Sequence, residues 1–251
     1  MSRAMRRLYQ QVAEQLRQRI RQGEYNVGDR MPAERLLAEE FDVSRPTVRE
    51  AMIALEITGF VEVRVGSGVH VISRSGQGEV TDELDVGPFE LMEARLLIES
   101  DIASVAAERI DEIQIRRLDE LLDDMVRENE IGEVGEQADR DFHITIAQGT
   151  QNSALVGIAE RFWALRETSP MMAEMLNRSR AYGIQPMISD HRLILEALRA
   201  RDPQGAHKAM ADHLTRVIDA LLEVTETEAI ERVRTEAEAR RKRYIRRPRH
   251  G

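Results

Sequence analysis

The 251-residue chain is 42% hydrophobic and 32% charged and has no cysteine, which excludes disulfides, thiolate metal ligands and cysteine nucleophiles. No stretch approaches eighteen consecutive apolar residues and no signal-peptide pattern opens the chain, so we expect a cytoplasmic protein that does not enter a membrane. The formal net charge of −9 is uneven, since residues 1–74 carry +2, residues 236–251 carry +5 and the acidic body between them carries −16, which indicates that the head contacts phosphate.

Three helices are predicted in the first 60 residues. The first covers residues 6–22, because apolar side chains recur at every fourth position. These apolar residues are Leu8, Val12, Leu16 and Ile20. The second helix covers residues 33–41 and the third covers residues 44–59, and the short connection between them has the length of a helix-turn-helix.

The third helix has the features of one that enters the major groove of DNA. Ser44 is a favourable N-cap, and an apolar stripe is predicted to face the protein. The stripe consists of Val48, Ala51, Met52, Ala54, Leu55 and Ile57. The opposite face carries Arg45, Thr47 and Arg49. Arginine pairs with guanine or phosphate, and hydroxyls bind base edges or backbone oxygens, so this face is predicted to contact DNA.

A β-hairpin is predicted over residues 60–73, because two alternating segments flank Gly66, Ser67 and Gly68. The order helix, turn, helix, hairpin is that of a winged helix-turn-helix. Arg35, in the second helix, has two possible roles. It contacts a phosphate, or it pairs with Glu39 one turn later.

The rest of the chain is predicted to be helical, which makes the fold class mainly α. We expect a winged helix-turn-helix domain at residues 1–74, a polar linker at 75–87 and an all-helical domain at 88–235. Residues 236–251 form a basic tail that is expected to be disordered. One of the predicted helices is short, extending only from Pro170 to about Leu176.

Four polar residues of the helical domain are predicted to meet in its interior. Asp139 and His143 are four residues apart, so they project from one face of a helix, and His191 and His213 lie on two later helices. Three imidazoles and a carboxylate in a helical bundle are a common transition-metal site. Each histidine also has a plain alternative as a satisfied polar residue, and Asp141 is expected to point elsewhere.

Taken together, these motifs resemble the GntR family of bacterial transcription regulators, in its FadR subgroup with an FCD effector domain. The motifs are PAERLLAEEFDVSRPTVREAMIALEITGFVEVRVGSGVHV, DRDFH, SDHRLILEAL and ADHL. The resemblance implies a homodimer that binds an inverted-repeat operator in double-stranded DNA. It also implies an effector domain in which a divalent metal, Zn²⁺ or Ni²⁺, helps to hold a small carboxylate.

The same resemblance assigns roles to individual residues. The implied DNA contacts are Arg35, Ser44, Arg45, Thr47, Arg49, Gly66 and Ser67. The implied metal ligands are Asp139, His143, His191 and His213. The implied effector contacts are Arg95, Asn152 and Arg166, with Trp163 available to stack on a sugar. Arg95 has an alternative partner in Glu99. Pro46 replaces a threonine of many relatives, which removes one hydroxyl from the first helical turn.

A narrower similarity extends to the repressors of hexuronate utilisation operons, in segments such as GPFELMEARLLIESDIA and GTQNSALVGI. It implies that the chain represses sugar-acid catabolism genes and that a sugar acid is the effector. The rival interpretations are a metal-dependent enzyme and a metal-sensing regulator. We predict no enzyme, because the sequence has no HExxH, no nucleophile motif and no second carboxylate at general-base spacing beside the histidines.

Overall fold

A computed structural model of the chain describes residues 7–64, 67–76, 86–131, 136–181 and 187–223. Contacts divide the chain into two units, an N-terminal unit that extends to Gly87 and a helical unit, Pro88–Leu221. Helices dominate both, which confirms the mainly α fold class. Across the described residues, no helix combines the length and apolar character needed to cross a bilayer. Most of the predicted linker and the predicted basic tail lie outside the described residues.

Three helices form the body of the N-terminal unit. Helix α1 covers Leu8–Gln22, α2 covers Glu34–Phe41 and α3 covers Arg45–Ile57. Helix α1 ends at Gly23, whose φ of 82° lies in the left-handed region that glycine adopts without strain. Helix α2 ends at Asp42, also left-handed with a φ of 51°. The chain therefore reverses directly from α2 into α3, as a helix-turn-helix requires.

A two-stranded antiparallel hairpin forms the wing. Strand β1 covers Val61–Arg64 and β2 covers Gly68–Val71, with Val63 opposite Val69. The amide of Met31 donates to the carbonyl oxygen of Val69 at 2.8 Å. This bond ties the wing to the segment that precedes α2, so the hairpin is fixed to the helix-turn-helix.

Helices α1 and α3 supply much of the core of the N-terminal unit. Leu16 in α1 and Val48 and Leu55 in α3 are fully buried. Two residues that were predicted to be buried in the apolar stripes are exposed instead. Leu8 is 61% exposed and Ile57 is 40% exposed. Leu8 is the first residue of α1 and Ile57 is the last residue of α3.

Replacement of Leu16 by alanine should lower the free energy of unfolding by about 2–5 kcal/mol, because it leaves a cavity between α1 and α3. Urea denaturation of the full chain, followed by circular dichroism, measures the change. The matched control is Leu8→Ala, the same chemical change on the exposed side of the same helix, which should stay within about 0.5 kcal/mol of the parent. Equal losses in both variants would contradict the assigned core.

The helical unit begins at Pro88 and contains the remaining helices. Their bounds are α4 Pro88–Arg109, α5 Glu112–Ile131, α6 Glu136–Gly149, α7 Ser153–Thr168, α8 Pro170–Ala181, α9 Ile188–Arg199 and α10 over residues 203–223. Helix α8 is longer than predicted. Ser179, one turn after Met175, is buried, and its hydroxyl group is satisfied because it donates to the Met175 carbonyl oxygen at 3.0 Å.

Helix α6 lies at the centre of this unit. It packs against α4, α5 and α7, while α9 packs against α4 and α5. The buried aromatic residues Phe142 of α6 and Trp163 of α7 are 0% and 1% exposed. Polar residues that share the inward face of α6 therefore point into an interior with little access to water.

Candidate functional site

The first turn of α3 presents the polar residues that are predicted to contact DNA. Ser44 is its N-cap, and the Ser44 Oγ accepts a hydrogen bond from the Thr47 amide at 3.2 Å and lies 2.7 Å from the Thr47 Oγ1. The side chains of Ser44 and Arg45 are exposed. Hydroxyls and a guanidinium at a helix N-terminus suit phosphate oxygens and base edges.

Arg49, one turn later on α3, departs from the prediction. Its side chain is 6% exposed and bonds the Glu34 carboxylate of α2 through Nε at 3.2 Å and Nη2 at 2.8 Å. This bidentate pair joins the two helices of the helix-turn-helix. The expectation that Arg49 lies on the exposed, DNA-reading face is therefore wrong for this structure, in which Arg49 braces α2 against α3.

The other predicted DNA contacts lie on α2 and in the wing. Arg35 is 65% exposed, and its guanidinium lies 2.6 Å from the Glu39 carboxylate. In this structure Arg35 therefore pairs with Glu39, the second of its two possible roles. An exposed pair of this kind contributes only about 0.3–0.5 kcal/mol, so a phosphate can replace Glu39. The Oγ of Ser67 lies 2.6 Å from Nε2 of His70 in β2. Gly66 lies outside the described residues.

The four predicted metal ligands lie together inside the helical unit, and we call them the histidine cage. Helix α6 supplies Asp139 and His143, α9 supplies His191 and α10 supplies His213. Their exposed fractions range from 0% to 7%. One ligand atom from each residue lies within 4.8 Å of the others. The structure thus brings together the four residues that the spacing singles out.

Asp139 is the meeting point of two imidazoles. Its Oδ1 lies 2.9 Å from Nε2 of His191 and 3.5 Å from Nε2 of His143. The rings of His191 and His213 are 4.4 Å apart between centroids. A carboxylate oxygen only accepts, so each of its contacts requires a proton on the nitrogen or a metal ion in place of the proton. The donor set matches Zn²⁺ and other first-row divalent metals.

Two cage histidines form hydrogen bonds to oxygen acceptors through Nδ1, the ring nitrogen that faces away from Asp139. Nδ1 of His143 lies 2.5 Å from the Glu99 Oε2, and Nδ1 of His191 lies 3.1 Å from the Met187 carbonyl oxygen. Because these oxygens accept, both imidazoles carry hydrogen on Nδ1. Nε2 of each ring then faces Asp139, which is the orientation of histidines that bind metal through Nε2.

His213 lies beside a second carboxylate. Its Nδ1 is 3.8 Å from the Asp190 Oδ2, which accepts a hydrogen bond from Nε of Arg216 at 2.6 Å. Nδ1 of His213 and Nε2 of His143 are buried without a hydrogen-bond partner among the described residues. Buried nitrogens of this kind are costly unless a ligand satisfies them, which fits a cage that holds an ion.

Glu99 is a site residue that the sequence did not reveal. It lies on α4, is 2% exposed and reaches His143 from a helix 44 residues earlier in the chain. A second carboxylate therefore lies beside the histidines, where it is bonded to His143 and Arg95. The available signal was the i, i+4 spacing of Arg95 and Glu99 on a largely apolar helix, which marks a charged pair that is taken into the interior.

Charges near the cage separate the pKa values of its members. Burial raises the pKa of Glu99, but the Arg95 guanidinium and His143 outweigh burial and bring that pKa to about 2. Burial likewise opposes ionisation of Asp139, yet the neighbouring His143 and His191 hold its pKa well below the usual value. Burial lowers the pKa of His143, but Glu99 and Asp139 raise it above 6.5. Burial lowers the pKa of His213 to about 4.

Two buried arginines share an aromatic surface beside the cage. The guanidinium carbons of Arg95 and Arg166 lie 4.8 Å and 5.0 Å from the ring centroid of Trp163. The Trp163 ring is 5.7 Å from that of His143. Nε of Arg95 donates to Oε1 of Glu99 at 2.6 Å. In this structure Arg95 therefore pairs with Glu99, as the alternative role predicted. Cation–π contacts of this kind keep guanidiniums oriented in an interior.

Three other polar residues are not members of the cage. Asn152 is exposed and caps α7, where its side-chain oxygen accepts from the Ala154 amide at 3.0 Å. Its role as an effector contact near the metal stays a prediction, and Asn152 followed by Ser153 is itself a helix-start signal. Asp141 accepts from Gln137 at 2.9 Å, away from the cage. His207 is on the surface, with 47% of its side chain exposed.

Comparison with known families matches both units. Residues 8–71 match the model described as "Bacterial regulatory proteins, gntR family". Residues 90–216 match the FCD domain. The first match spans the helix-turn-helix and wing, and the second spans most of the helical unit with every member of the histidine cage.

Curated relatives cover most of the chain. The Exu regulon transcriptional regulator of Escherichia coli (strain K12) is 43% identical over 220 residues, which is 83% of this chain and 82% of the relative. The Uxu operon regulator of Haemophilus influenzae is 40% identical over 234 residues, 91% of this chain and 87% of the relative. A solved GntR structure from Streptococcus agalactiae, 30% identical, covers 83% of this chain and 98% of its own, with a TM-score of 0.44.

Proposed function

The chain belongs to the GntR family of bacterial regulatory proteins and carries an FCD domain, and on this basis we propose that it represses genes for hexuronate catabolism. Proteins of this family regulate transcription and are not enzymes. The observation that carries the proposal is the similarity to the Exu and Uxu regulators over more than four fifths of the chain. We place the chain in the FadR subgroup and, because its target is the bacterial chromosome, in the cytoplasm.

The operator contacts are assigned to the first turn of α3, to α2 and to the wing. Ser44, Arg45 and Thr47 are grouped at the N-terminus of α3, where amide groups and hydroxyls bind phosphate and the guanidinium reaches a base edge. Arg35 of α2 and Ser67 of the wing contact the backbone on either side. Residues 1–74, with a net charge of only +2, bind DNA weakly by themselves. A homodimer that places two such units on an inverted repeat supplies the remaining affinity.

The histidine cage is assigned to one divalent ion, Zn²⁺ or Ni²⁺. Asp139, His143, His191 and His213 each offer one ligand atom, and the buried nitrogens without partners support this assignment. When bound, the ion would supply a Lewis-acidic centre that attracts the oxygens of an acid. The chain itself holds Asp139 ionised, because the neighbouring His143 and His191 keep its pKa low.

The sugar-acid carboxylate is assigned to Arg95 and Arg166. Both guanidiniums are buried, at 2% and 9% exposure, and both lie against Trp163. Around the cage, the charges of these two arginines are balanced by Glu99 and Asp139, and a divalent ion adds two positive charges. Buried charge must be compensated, so the loaded site favours an anionic ligand over a neutral sugar.

Operator binding with and without a hexuronate tests this function. The DNA is a labelled fragment from the region upstream of the chain's own gene that contains an inverted repeat, and fluorescence anisotropy reports binding. We expect D-glucuronate or D-galacturonate to release the metal-loaded protein, while D-glucose, which lacks a carboxylate, has no effect. Release by metal alone identifies a metal sensor, and consumption of the acid identifies an enzyme; either result overturns the proposal.

Metal affinity should fall as the pH is lowered from 8 to 5.5. The pKa of His143 is raised, so His143 binds a proton earlier than an ordinary histidine, and the proton competes with the ion. His213, with a pKa of about 4, and the ionised Asp139 stay ready to bind throughout this range. Below the pKa of His143 the affinity should drop about tenfold per pH unit. Competition with a chromophoric chelator at several pH values measures it, and an affinity independent of pH would contradict this assignment.

A further inference from the structure

Glu99 lies between the histidine cage and the buried arginine of α4. Its Oε1 accepts from Arg95 at 2.6 Å and its Oε2 lies 2.5 Å from Nδ1 of His143. All three residues are 2% exposed. The two oxygens of one carboxylate therefore serve two different helices, with Arg95 on its own helix and His143 on α6.

We propose that Glu99 is a positioning residue for the metal, acting through His143. Its carboxylate keeps the imidazole hydrogen on Nδ1, so that Nε2 is turned towards the ion, and Arg95 holds the carboxylate in place. The inference rests on the proposed metal site and adds a residue outside the cage that sets how well the cage binds.

The three cage histidines differ in what holds them. His191 is held by a main-chain carbonyl oxygen, that of Met187 at 3.1 Å, which no substitution removes. His213 has its nearest carboxylate, Asp190, at 3.8 Å, outside hydrogen-bond distance. His143 differs from both, because its Nδ1 is hydrogen-bonded to a side chain, the carboxylate of Glu99. Its orientation therefore depends on the identity of residue 99.

The test compares the metal affinity of the parent with that of Arg95→Met/Glu99→Met. Removing both charges together leaves the net charge around the cage unchanged and leaves neither partner buried without the other, and apolar replacement of such a pair is tolerated in other proteins. Methionine replaces the carboxylate with only a weak sulfur acceptor for Nδ1 of His143. We expect Zn²⁺, added alone at pH 8 and measured by chelator competition, to bind about 10–100-fold more weakly than to the parent.

Asp101→Asn is the matched control. Asp101 is also an acidic residue of α4 beside a histidine, but it is 79% exposed and pairs with His207 at 3.3 Å on the surface. This variant should bind Zn²⁺ as the parent does. If the double variant binds within about threefold of the parent, the role of Glu99 is refuted while the metal site stands. If the parent itself does not bind Zn²⁺, the proposed metal site fails, and this inference fails with it.

A measurement on the parent protein does not depend on how the double variant folds. Nitrogen-15 spectra of the Zn²⁺-loaded protein, with the His143 signals assigned by their loss in His143→Gln, report which ring nitrogen carries hydrogen. Hydrogen on Nδ1 with the ion on Nε2 is the expected result. Hydrogen on Nε2 with the ion on Nδ1 would overturn the proposal, since Glu99 would then not hold the ring.

Discussion

Replacing His143 by alanine should weaken the binding of a divalent metal at least about 100-fold, the largest effect expected of any single substitution in the helical unit. The side chain supplies one of four ligand atoms that lie within 4.8 Å of one another, and it is also the histidine held by Glu99. Its loss removes a ligand and opens space for water in an interior site. Metal content after dialysis and chelator competition measure the change.

The control for His143→Ala is His207→Ala. The substitution is the same, but the His207 side chain is 47% exposed and lies outside the cage, so metal content should not change. Operator binding without effector should survive in both variants, because the DNA contacts are assigned to the other unit. If His143→Ala retains the parent's metal affinity, the ligand assignment is wrong.

Replacing Arg45 by alanine should weaken operator binding by about 1–3 kcal/mol for each N-terminal unit that loses its contact, which is roughly 5–150-fold. Arg45 is exposed at the first turn of α3, so the substitution leaves the core of that unit intact. Anisotropy titrations at two salt concentrations separate a base contact from a phosphate contact, because loss of a phosphate contact also reduces the salt dependence. Unchanged affinity for the operator would remove α3 as the DNA-reading helix.

Arg49→Ala provides the informative contrast on the same helix. Its guanidinium is 6% exposed and bonds Glu34, so its loss should lower the free energy of unfolding by about 1–3 kcal/mol. Any loss of operator affinity should then follow the loss of folded protein, and Glu34→Gln should destabilise in the same direction. Full stability of Arg49→Ala together with lost DNA binding would restore Arg49 as a direct contact.

The elements and the cage could be predicted because their signals are local in the sequence. Ser44 as an N-cap, Asp42 at the turn and the alternation around the wing are each governed by neighbouring residues. The i, i+4 spacing of Asp139 and His143 fixes a common helix face, which limits where His191 and His213 must come from.

The predictions from sequence fail where tertiary contacts determine the position of a side chain. Arg49 follows Arg45 by one turn, so helical spacing puts both on one face, but only the packing of α2 shows that Glu34 draws Arg49 inward. Glu99 gains its role from α6, which is distant in the chain. Asn152 carries two signals, because its N-cap position is visible in the sequence and the resemblance also implies an effector contact.

The position of Trp163 gives the protein a built-in optical reporter. It is the only tryptophan in the sequence, it is 1% exposed, and its ring lies 5.7 Å from that of His143 and against two guanidiniums. All indole emission therefore arises from one place next to the cage. Titrating an unlabelled sample with an ion or an acid should change the intensity of that emission, so occupancy can be followed in a cuvette without a dye.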